Sequence, residues 1–146
     1  AGISADGRYV SFASMASNLV AGDTNGASDV FVRDQVAGTT TRVSVASDGT
    51  QGNGEGGPGG SAISADGRYV AFVSYASNLV AGDTNGSPDV FVHDMVTGAT
   101  TRVSVSTAGA QGTHCEEIRR VFLDQFAEAE VRQLADFWVR VAPHCG

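Results

Sequence analysis

Residues 63–105 read ISADGRYVAFVSYASNLVAGDTNGSPDVFVHDMVTGATTRVSV, and residues 3–45 read ISADGRYVSFASMASNLVAGDTNGASDVFVRDQVAGTTTRVSV. The offset is 60, and 34 of the 43 positions are identical. Most of the chain is therefore a tandem array of two copies. A repeat of this size is one supersecondary unit, and it buries its apolar surface by stacking on a neighbour.

Turn residues cut each copy into four extended segments. In the second copy the first is Ser61–Ser64, closed by Ala65-Asp66-Gly67, where Asp-Gly signals a tight turn. Arg68–Ser74 follows, with Tyr69, Ala71 and Val73 on one face and Val70 and Phe72 on the other. Apolar residues on both faces predict a strand buried on both sides. After a polar loop with its turn at Asn85-Gly86 come Asp89–Asp94 and then, past Gly98, Thr100–Val105. In that last segment Val103 and Val105 alternate with Arg102 and Ser104, which predicts an outer strand with one wet face.

Four strands of graded burial, repeated once, describe mainly β architecture: two four-stranded antiparallel propeller blades. The run ISADGRYVAF, followed by DVFVHD, TG and TTRVSV, resembles the TolB-type (PD40, WD40-like) propeller repeat of bacterial proteins. The resemblance covers residues 1 to about 112. It implies a β-propeller fold, an extracytoplasmic (periplasmic or secreted) location, and a scaffold or binding surface with no chemistry of its own. The organisation expected is a first blade over 1–47, a flexible Gly-rich linker over 48–60, a second blade over 61–112 and a tail over 113–146.

Propellers close with roughly four to eight blades, and the chain holds two. The function expected is a non-catalytic scaffold or protein-interaction module completed by other propeller blades or by self-association. A trimer of two-blade chains is one closed arrangement. The alternative is a lectin-like or calcium-dependent ligand-binding propeller, with carbohydrate as a further partner. The chain starts at Ala1 inside the repeat pattern, as a processed chain or a fragment would.

The repeated loop Gly22-Asp23-Thr24-Asn25-Gly26 with Asp29, and its copy Gly82-Asp83-Thr84-Asn85-Gly86 with Asp89, offers oxygen ligands at spacings like the opening of a calcium loop. Calcium is the only cofactor suggested, through Asp23, Asn25, Asp29, Asp83, Asn85 and Asp89. The competing reading is an Asx turn, an Asn-Gly turn and an aspartate that fixes the start of a strand. Asp6 and Asp66, with Ser4 and Ser64, resemble the Asp-box hairpin of sialidases but lack a residue between Asp and Gly, so they read as turns. Ser14, Ser17 and His93 have no general-base partner at an interpretable spacing, and no enzyme is expected.

Sixteen acidic residues against nine basic ones, all Arg, give a net charge of −7. Such a balance opposes binding to nucleic-acid phosphates or an anionic membrane. No run of about 18 apolar residues exists to span a bilayer.

From His114 the pattern changes to a helical period, with Ile118, Val121, Phe122 and Phe126 on one face, then Val131, Leu134, Ala135, Trp138 and Val141 on a second. A single helix of about 26 residues would be about 39 Å long. A disulfide needs Cα atoms about 6 Å apart. A C-terminal α-helical hairpin with its break near Ala127 brings Cys115 and Cys145 together, and free thiols or a zinc site with His114 and His144 stand as alternatives. Ile118, Phe122, Leu134 and Trp138 form the expected interaction face of the tail. The run THCEEIRRVFLDQF resembles the C-terminal dimerisation helices of MarR-type regulators, without their DNA-binding portion.

Overall fold

The computed structural model of the protein describes residues 1–106 and Gly109. These form strands β1 (Gly2–Ile3), β2 (Tyr9–Ser14), β3 (Asp29–Asp34), β4 (Thr39–Arg42), β5 (Gly56–Ile63), β6 (Tyr69–Ser74), β7 (Asp89–Asp94) and β8 (Thr100–Arg102). They make two four-stranded antiparallel sheets in the orders β1-β2-β3-β4 and β5-β6-β7-β8. Each is a simple meander, as the turn residues predict. The helical hairpin, Cys115, Cys145 and the interaction face at Ile118, Phe122, Leu134 and Trp138 lie outside the described residues.

Register follows from side-chain alternation. In the first sheet Phe12 pairs with Phe31, Ser11 with Val32 and Ala13 with Val30. The second sheet repeats this with Phe72 on Phe91, Ala71 on Val92 and Val73 on Val90. The phenylalanine rings stack at 5.8 Å in both sheets. Within each sheet one face therefore carries the Val10/Phe12/Phe31 set or its copy, and the other carries the Val30/Val32 set or its copy.

Stacking the sheets puts unlike faces together. Val30, Val32 and Val43 of the first sheet share one buried cluster with Ile63, Val70, Phe72 and Phe91 of the second, joined by Ala76 and Leu79. Tyr9 packs at the edge of the same cluster. Apolar burial of this kind contributes roughly 25 cal/mol per Å², so the interface between the sheets is the main core of the described chain.

Two expectations need correction. The glycine-rich stretch is not all linker: β5 starts at Gly56, ahead of the expected Ser61, and Gly56 and Gly57 are buried. The reason is close approach. A Cβ on Gly57 would lie 2.7 Å from Cβ of Ala13 and 3.0 Å from Cγ2 of Val30, and its φ of +78° suits glycine. A bulge between Gly56 and Ser61 lets the strand adjust. The polar face of the outer strand is also not wet. Ser44 and Ser104 are buried, and the Arg42 and Arg102 side chains are only 11% and 12% exposed.

The tight turns form as expected. Ser4 Oγ donates to Asp6 Oδ1 at 2.6 Å, and the amides of Tyr9 and Arg8 donate back to Ser4 Oγ and Asp6 Oδ1 at 3.0 Å. Arg8 then grips Asp34 through Nε and Nη2 at 2.9 and 2.8 Å, and Arg68 grips Asp94 in the same way. Each sheet is thus laced across its β1-side turn and its β3–β4 hairpin.

Candidate functional site

The repeated acidic loops bring together the residues expected to bind calcium, but around an arginine. Asp29 is buried; its Oδ1 accepts from Ser44 Oγ at 2.6 Å and its Oδ2 from Asn25 Nδ2 at 2.9 Å. Arg42 Nη1 sits 3.5 Å from carboxylate oxygens of both Asp23 and Asp29 and donates to Gln51 Oε1 at 3.0 Å. Asn25 turns its amide donor toward Asp29 and accepts the Ala27 amide at 3.0 Å, the geometry of an Asx turn. The guanidinium stands between the carboxylates where the sequence reading put an ion. In the second copy Arg102 Nη1 lies 3.8 and 3.9 Å from Asp83 and Asp89, Asn85 bonds Asp89 at 3.3 Å, and Ser104 bonds it at 2.6 Å. Among the described residues no group of three or more His, Cys, Asp or Glu side chains could hold a metal. Arg42, Ser44 and Gln51 were missed as partners, although Arg, Ser and Gln recur at the same offset in both copies.

The second arrangement is a clasp between the first sheet's exit segment and the second sheet. After β4 the chain turns through a hairpin, closed by the Val45–Gln51 bridge. Gln51–Glu55 then crosses the loop Tyr75–Leu79. Asn53 is its centre. The Asn53 amide donates to Asn78 Oδ1 at 3.0 Å, its Nδ2 to Ser77 Oγ at 3.0 Å, and its Oδ1 accepts from the Ser77 amide at 2.9 Å. Asn78 Nδ2 returns a bond to the Gln51 carbonyl at 3.0 Å, and the Tyr75 amide one to Glu55 at 2.9 Å. Gly54 lets the strands touch, since a Cβ there would fall 2.8 Å from the Ala76 nitrogen.

The first sheet presents the same receiving surface with nothing described on it. Ile63 is 3% exposed and Ile3 is 49% exposed; Ala76 and Leu79 are buried, whereas Ala16 and Leu19 are only half-buried and Asn18 is exposed. Phe12, copy of the fully buried Phe72, is also only half-buried. On the strands of this face the two copies differ at one position, Arg33 for His93, and beside it Met95, which packs against the covered cluster, is replaced by Gln35. Burial keeps the His93 pKa below its ordinary value. Its Nδ1 lies 2.8 Å from Thr100 Oγ1, which gives its only hydrogen to the Val45 carbonyl at 2.6 Å, so Nδ1 carries the proton. Arg33, in the uncovered copy, is exposed and reaches Thr40 at 3.1 Å.

Between the hairpin and the second sheet lies an open groove of about 500 Å³, lined by Ala46, Asp48, Leu79, Val80 and Thr100 among others. Among the described residues no aromatic side chain lines it. His93 faces Thr100 and not a serine, and Ser14 Oγ accepts the Ala16 amide at 3.1 Å. Among the described residues no helix is long and apolar enough to cross a membrane.

No protein-family model and no curated protein matches the chain. Among solved structures it is similar to one described as a TolB from Agrobacterium tumefaciens, at 18% identity and a TM-score of 0.46, over 72% of this chain and 29% of that one. It is also similar to TolB from Acinetobacter baumannii, at 19% identity and a TM-score of 0.43, over 74% and 24%. The chain thus spans less than a third of the length of either. The geometry of the two sheets stands independently of these likenesses.

Proposed function

We propose that the chain is a non-catalytic β-propeller scaffold that acts in protein interaction through the uncovered face of its first blade, in an extracytoplasmic setting. Completion comes from another blade, provided by a further repeat or by a second copy in a ring. The observation that supports this most directly is the contrast between identical residues, Ile3 and Leu19 against Ile63 and Leu79, in one surface present twice and covered once among the described residues. On this face Ile3 is exposed and Val10, Phe12 and Leu19 are half-buried around the buried Phe31, and apolar residues grouped at a surface favour protein contact. The buried arginine–aspartate networks stiffen each blade.

Binding of an apolar dye tests the reading, with Phe12→Asp as the control, since Phe12 belongs to the uncovered face and not to the core between the sheets. The parent chain binds the dye, and the variant loses most of that binding while keeping its β signal. A parent that binds no dye, or a variant that binds as much, removes the reading.

A further inference from the structure

We propose that the uncovered face of the first blade is a docking site for one kind of partner: a further blade of this same repeat type, bringing a Gln-Gly-Asn-Gly-Glu segment across Ser17-Asn18. The inference rests on the scaffold reading above and names its partner. The covered copy of the site shows what recognition requires. Asn53 makes three hydrogen bonds to Ser77 and Asn78, Gly54 passes within contact of the Ala76 backbone, and Gly52 lies against Ala76 and Leu79. The run Ala16-Ser17-Asn18-Leu19-Val20 repeats Ala76-Ser77-Asn78-Leu79-Val80 without a change. The strand residues of the receiving face, Val10, Phe12 and Phe31, are likewise kept.

The substitution on the strands of that face, Arg33 for His93, supplies a charge argument. The hairpin that precedes the clasp segment carries Asp48, which lines the same groove as Thr100, next to His93. A hairpin of the same sequence laid over the first blade would bring its aspartate to the Thr40 side, where Arg33 is exposed. Arginine at this position, in place of a buried neutral histidine, fits an acidic hairpin better than an apolar one.

A second copy of the chain does not provide these features. Its own Asn53 segment is spent on its own second blade, and the stretch after that blade reads Ala108 for Asp48, Thr113 for Asn53 and His114 for Gly54. A side chain at the Gly54 position meets backbone atoms at 2.8 to 3.0 Å, and backbone cannot yield as a flexible side chain would. The ring of two-blade chains therefore lacks both the amide and the clearance that the observed junction uses.

The experiment compares the parent with a chain lengthened by a second copy of residues 1–60 placed before Ala1, read by amide hydrogen exchange and by melting temperature. In the lengthened chain the amides of Val10–Ser14 rise to the protection of Val70–Ser74, and Asn18→Ala, silent in the parent, lowers the melting temperature as Asn78→Ala does. Unchanged exchange at Val10–Ser14 with Asn18→Ala silent in both chains overturns the proposal. It also falls if the parent forms a saturable dimer that protects these same amides, because the partner is then a second copy. A measurement on the parent chain alone covers failure of the longer one to fold. The double variant Asn53→Thr/Gly54→His, which copies Thr113-His114, should drop Val70–Ser74 toward the exchange rate of Val10–Ser14; unaltered protection there overturns the role of the clasp. Dye binding by the parent with a failed clasp would leave the scaffold reading intact and reject only this partner.

Discussion

Arg42 is the residue that decides what the acidic loops are for. It lies between two side chains, Asp23 and Asp29, that are 4% and 1% exposed. Removing one member of a buried charge set leaves the others uncompensated, at a cost of about 3 to 5 kcal/mol. Arg42→Ala should therefore lower the denaturation midpoint by a corresponding amount. Millimolar calcium should stabilise that variant while leaving the parent unchanged against a control of matched ionic strength; a calcium-stabilised parent would return the loops to the ion. His93 supports a second prediction at this scale. Its folded pKa lies below the ordinary 6.5 because burial disfavours the charged ring. The unfolded chain then takes up the proton first, so the contribution to stability is complete above about pH 6.5 and falls as the pH drops through that value. Denaturation midpoints between pH 7.5 and 5 should decline in the parent and stay flatter in His93→Gln. The carboxylates of Asp34 and Asp94 do not confound this window, because their arginine partners hold them well below the usual carboxylate range. Their contribution is lost only in stronger acid.

At the scale of elements, the joining segment between the blades has the least obvious sequence and the most specific geometry. Asn53 and Asn78 hold one junction, and each hydrogen bond of this kind contributes about 1 kcal/mol net. Asn78→Ala should destabilise the chain by about 1 to 2 kcal/mol, while Asn18→Ala, its exposed copy, should stay within about 0.5 kcal/mol. Equal effects in urea denaturation would show that Asn78 acts through its own loop and not through the clasp. The strands themselves were legible because alternation, Asp-Gly turns and the repeat offset all point to the same four segments. The start of β5 was not, since Gly56-Gly57-Pro58-Gly59-Gly60 has the composition of a linker. Its glycines are set by the nearness of Ala13 and Val30 across the interface, a tertiary fact that no local pattern carries. The acidic loops were half legible for a related reason. The oxygens stand in one loop, but the cation that faces them comes from β4 and lies 19 residues from Asp23 in sequence (42 − 23).

For the molecule as a whole, near-identity of the two blades turns an architectural question into a controlled comparison. In a stacked array the stability of each unit is its own contribution plus that of the interfaces it shares. The joining segment and the Val30/Val32/Val43 face of the first blade cover the Val70/Phe72 face of the second. Among the described residues the matching Val10/Phe12 face of the first blade has no such cover, and Val10 and Phe12 are half-buried where Val70 and Phe72 are fully buried. Propensity, turn chemistry and register are the same in both, so they cancel. What differs is the neighbour. Strand β2 should therefore open more readily than β6, since local opening tracks the apolar contacts that an element loses. Native-state hydrogen exchange reads this directly, with Val10, Phe12 and Phe31 exchanging faster than Val70, Phe72 and Phe91. Deepening the interface alone, with Ser11→Ala matching the Ala71 of the second copy, should leave that ordering in place, because Ser11 lies on the covered face with its hydroxyl 3.0 Å from Ser61. Equal protection of the two strands would mean that each blade is stable on its own. The uncovered face would then be a surface like any other, with no stability to gain from a partner.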